Sequence, residues 1–68
     1  MPDSVLLRLN PAKIVLLSKL IEAFGHIGIV STVDAKEGLV IVRGTPDTLD
    51  EIRRVLSNLP FPLEIISE

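Results

Sequence analysis

The chain has 68 residues, of which 47% are hydrophobic and 24% charged, with a formal net charge of −2 and no cysteine. So short a chain forms one domain, 1–68, and buries only about 60% of its unfolded surface, so it depends on a dense aliphatic core, on association, or on both. The composition excludes disulfides and thiolate metal sites, gives a polyanion no general attraction, and holds no apolar run near the about 18 residues of a membrane span.

Residues 4–9 read as a first strand, in which Val5, Leu7 and Leu9 point one way and Leu6 and Arg8 the other. Asn10 then stands where a side-chain oxygen caps a helix, and Pro11 where a missing N–H is harmless. Ile14, Leu17, Ile21 and Phe24, flanked by Leu20, recur at helical spacing, so residues 10–24 are expected to form an amphipathic helix with these side chains on the core. Val15 and Leu16 widen its apolar arc beyond what one sheet needs. Gly25 suits a left-handed C-terminal cap, and His26 belongs to the turn that follows.

The β-branched stretch 27–33 reads as a second strand. The polar turn 34–38 ends in Gly38 and predicts a hairpin into a third strand, 39–43. Thr45 and Pro46 then repeat the cap-and-proline signal, and a second helix runs from 45 to 58 or 59. Asp47, Asp50 and Glu51 precede Arg53 and Arg54 along it, an order that complements the helix dipole. Pro60 and Pro62 end that helix, and residues 63–67 form a last edge strand.

Adding 35 to a residue number carries the first half onto the second. Asn10 and Pro11 become Thr45 and Pro46, and Val5, Leu6, Leu7 and Arg8 become Val40, Ile41, Val42 and Arg43. Ile14, Leu17, Leu20, Ile21 and Phe24 become Leu49, Ile52, Val55, Leu56 and Leu59. The repeat predicts two halves, about 4–34 and 39–67, related by a pseudo-two-fold axis. The fold class is α+β, a ferredoxin-like βαββαβ sandwich. Its four-stranded antiparallel sheet has the order 4-1-3-2, with both helices on one face. A doubly wound parallel sheet is the weaker alternative, because the short polar turn requires antiparallel pairing.

With the helices on one face, the other carries Leu6, Ile29, Val33, Leu39, Ile41 and Ile66, with Arg8, Ser31, Arg43 and Glu64. Six large aliphatics on a solvent face predict an interaction surface, and a homodimer or higher homo-oligomer is expected. Strand 27–33 also lacks lysine and proline, so pairing by face and pairing by edge both fit. Arg8 and Arg43, equivalent under the repeat, with Asn10, are the candidate ligand-binding residues for a small anion or carboxylate. The alternative for the two arginines is charge in water with the stem on apolar surface.

No catalytic constellation is present: the serines have no neighbouring histidine, His26 is the single one, and metal-ligand spacing is absent. Phosphate loops of either glycine pattern are missing too, and the strands lack the aromatics that stack RNA bases. No enzyme activity, cofactor, metal, nucleic acid or membrane partner is expected. Without a basic-then-apolar leader or a cysteine, the expected location is the cytoplasm.

Residues 11–24, the strand Ile29-Val30-Ser31-Thr32-Val33-Asp34, Gly38-Leu39-Val40 and Thr45-Pro46-Asp47 resemble a family of short bacterial proteins known as a domain of unknown function. Asn10-Pro11 at the first strand–helix loop, with Ile27-Gly28-Ile29, also resembles ACT-type regulatory domains. Those modules pair through sheets and bind amino acids at the interface, which implies a small-molecule sensor as the alternative to a pure interaction module. ACT domains usually carry glycine after that proline, where this chain has Ala12.

Overall fold

The computed structural model describes residues 3–25 and 27–67. Its elements run in the expected order: β1 (Ser4–Leu9), a 3-10 turn (Pro11–Lys13), α1 (Ile14–Ala23), β2 (Ile29–Asp34), β3 (Leu39–Arg43), α2 (Leu49–Ser57) and β4 (Leu63–Ser67). The sheet order is β2-β3-β1-β4, which is 4-1-3-2 read from the other edge, and every strand pair is antiparallel. This is the ferredoxin-like sandwich, with β1 and β3 in the centre and β2 and β4 at the edges. The expected surface role for His26 lies outside the described residues.

One layer of aliphatic side chains joins sheet to helices. Val5, Leu7 and Leu9 from β1, Val40 and Val42 from β3, Leu17 and Ile21 from α1, and Ile52, Val55 and Leu56 from α2 are all buried. Ile27, just before β2, joins them. The offset of 35 survives in three dimensions. Both helices begin at equivalent positions, Ile14 and Leu49, and Leu17/Ile52, Ile21/Leu56, Val5/Val40 and Leu7/Val42 are buried pairs.

The helix starts differ from expectation. Asn10 does cap: its side-chain oxygen accepts from the Ala12 N–H at 2.9 Å. The first turn is nonetheless 3-10, closed by Lys13 N–H to the Asn10 carbonyl at 2.8 Å, and the α-helix starts only at Ile14. In the second half the roles are reversed. The Thr48 hydroxyl accepts from the Thr45 N–H at 2.9 Å, and the Thr45 carbonyl accepts from Thr48 and Leu49. Thr45 therefore opens a turn, and α2 begins at Leu49. Asp50 and Glu51 occupy the first turn of α2 and Arg54 its last, as the helix dipole favours.

Two glycines are required by the backbone. Gly25 takes φ +89° after α1, and its N–H reaches the Glu22 carbonyl at 3.0 Å. Gly38 takes φ +69° at the end of the hairpin loop and presses against the Leu9 backbone, and its carbonyl accepts from the Leu9 N–H at 3.0 Å. That contact ties the β2–β3 hairpin to the end of β1. Asp34 shapes the same loop by accepting from the N–H groups of Lys36 and Glu37.

Candidate interaction surface

Strand register turns the open face into rows. Ile29, Arg43 and Ser4 form the first, Ser31, Ile41, Leu6 and Ser67 the second, and Asp34, Leu39, Arg8 and Glu64 the third. Two bulges interrupt the edges. Val33 and Asp34 together oppose Leu39, and Ile66 and Ser67 together oppose Leu6. Since both residues of a bulge sit across from one partner, Val33 and Ile66 stay on the open face. Sequence offers no signal for either bulge.

The six predicted interface residues thus share one surface. Leu6, Leu39 and Ile41 occupy its two central strands and are half-buried by their neighbours. Ile29, Val33 and Ile66 stand at its margins, exposed by 71%, 57% and 43%. For large aliphatics these are high values, and together with the central three they give this face an apolar character, with Ile29 set beside Arg43 and Ser31.

The candidate ligand-binding residues are not brought together. Arg8 opposes Leu39 while Arg43 opposes Ser4, so the two lie at opposite ends of the central pair. Four residues of strand separate their backbones, about 13 Å. Arg8 instead meets Glu64 at 3.6 Å, both side chains well exposed, and a pair in water adds little stability. Asn10 is engaged as the cap.

Polar chemistry elsewhere is structural. The Ser18 and Ser57 hydroxyls donate to the carbonyls of Ile14 and Arg53 one helical turn back. Asp50 pairs with Arg53 at 3.2 Å. Among the described residues, no group of three or more histidine, cysteine, aspartate or glutamate side chains is placed to hold a metal ion. No helix of the described residues is long and apolar enough to cross a membrane.

Two concavities flank α1. A groove of about 350 Å³ runs between the helices, lined by Leu20 and Phe24 on one side and Val55 and Leu59 on the other. Phe24, expected in the core, is 53% exposed. Leu17 and Ile21 are buried in the core, whereas Leu20 and Phe24, four residues apart, line the flank facing α2. Period-counting missed this because Phe24 also lies three residues past Ile21. On the opposite flank a recess of about 540 Å³ opens between α1 and β2, lined by Ser18, Glu22, Gly25, Gly28, Ile29 and Val30.

Fold and surface define a small ferredoxin-like α+β module with an uncovered apolar sheet face. The chain belongs to the domain of unknown function DUF4911, whose family model matches residues 7–62. No curated protein and no solved structure matches it.

Proposed function

We propose that this domain is a non-enzymatic interaction module that self-associates through its open sheet face. The carrying observation is the band formed by Leu6, Leu39 and Ile41 across the central strands and Ile29, Val33 and Ile66 at the margins. Burying such a band removes apolar area from water at about 25 cal/mol per Å². The reading places the module in a bacterial cytoplasm, in keeping with a cysteine-free sequence.

Ile41→Glu tests it. Ile41 lies on the face away from the helices and is only partly buried, so the variant is expected to keep its circular dichroism spectrum. Its molar mass by light scattering is expected to fall below that of the parent chain. An unchanged mass would reject the open face as the association surface.

A second reading is a small-molecule sensor of the ACT type, favoured by the recess between α1 and β2 with Ser18 and Glu22 at its wall. It expects a rise in melting temperature with one member of a set of amino acids and small carboxylates, following RT ln(1 + [L]/Kd). A flat response across the set counts against it.

A further inference from the structure

The open face is small: four strands about 4.8 Å apart and about five residues long project onto roughly 320 Å² of backbone. A second contact that extends this face would strengthen association, and two surfaces offer one: the groove between the helices and the edge of β2.

Symmetry separates them. Two-fold axes through the sheet face and through the helix layer would lie in parallel planes and never meet, so using both would build an open-ended stack. A two-fold axis through the β2 edge stands perpendicular to the sheet. It can cross the axis of the face contact at a right angle, which closes the assembly at four copies.

We propose that β2 pairs antiparallel with β2 of a second copy, joining two sheets into one of eight strands whose doubled open face is the self-association surface. The doubled-face part of this rests on the reading above; the edge pairing stands on separate observations. Strand Ile29–Asp34 is a sheet edge without lysine or proline, whereas β4 follows Pro62 and carries Glu64. The bulge at Val33 and Asp34 interrupts only the C-terminal end of this edge, and the remainder can template a further strand. The strand is also self-complementary. Residues opposed across an antiparallel pair share a face, and a two-fold axis at Ser31 sets Ile29 against Val33 twice and Val30 against Thr32 twice. The two most exposed aliphatics of the open face thereby cover each other, and the Asp34 carboxylates are kept apart. Above this seam α1 presents Val15, 65% exposed, on the same flank as Ser18 and Glu22. The partner's α1 would meet it there, which accounts for an aliphatic side chain that the single chain leaves in water.

The parent chain has no cysteine, so single cysteines report the seam cleanly. Ser31→Cys and Thr32→Cys are each made in the Leu6→Glu background, which places the new charge on the open face one strand beyond Ile41, the cross-strand neighbour of Ser31, and oxidised with copper phenanthroline. Ser31→Cys is expected to form a covalent dimer, because Ser31 meets its own copy at the axis. Thr32→Cys is expected to form at least tenfold less, because Thr32 opposes Val30. No dimer from Ser31→Cys, or equal amounts from both, overturns the proposal. A mass unchanged by Ile41→Glu together with the Ser31 cross-link would reject the open face and leave the edge pairing standing.

Discussion

Gly38 shows how much one position can decide. At φ +69° it already sits where an L side chain is strained, and a Cβ there would run into the Leu9 carbonyl. Gly25 has a similar φ, +89°, but open space around it. Both substitutions carry a left-handed backbone cost of about 1–2 kcal/mol, and Gly38→Ala is expected to cost more than Gly25→Ala because the Leu9 backbone must also give way. Urea titrations of the two variants check the order; equal midpoints would mean the Leu9 contact contributes nothing. The sequence gives a hairpin turn at Gly38 but not its contact with Leu9, because that contact joins residues 29 positions apart (38 minus 9). Arg8 and Arg43 carry the same lesson. The repeat makes them equivalent, and antiparallel pairing then sends them to opposite ends of the sheet.

At the scale of elements, the sequence is legible where packing repeats and obscure where an element ends. The strand limits at β1, β3 and β4 agree with the alternation of apolar residues. Helix starts were harder to read, because Asn10 and Thr45 look alike in sequence yet organise different first turns. The central part of the open face, Leu6, Leu39 and Ile41, is legible from alternation, since β1 and β3 keep strict period two and the bulges, at Val33 and Ile66, fall outside them. The equivalence of the helices leads to an expectation about the core. Leu17 and Ile52 are both fully buried at matching sites, so Leu17→Ala and Ile52→Ala are each expected to cost about 2–5 kcal/mol. A domain of this size has only roughly 3–5 kcal/mol of core stability, so either variant is expected to be largely unfolded by circular dichroism at 25 °C. A cooperative melt near the parent temperature would show that the two sites are not the centre of the core.

At the scale of the molecule, the two halves are similar without being independent. Within the first half β1 and β2 are not neighbours, and within the second neither are β3 and β4; every strand pairing, β2–β3, β1–β3 and β1–β4, joins one half to the other. The repeat unit therefore cannot make a sheet by itself. A chain severed in the hairpin loop should yield two fragments that are each disordered, since neither has a strand to pair with and an isolated helix of about ten residues is marginal in water. Mixed, the fragments should interlock and recover the sheet signal in circular dichroism, with a midpoint that rises with concentration. Strand signal from either fragment alone would mean that it pairs with its own kind.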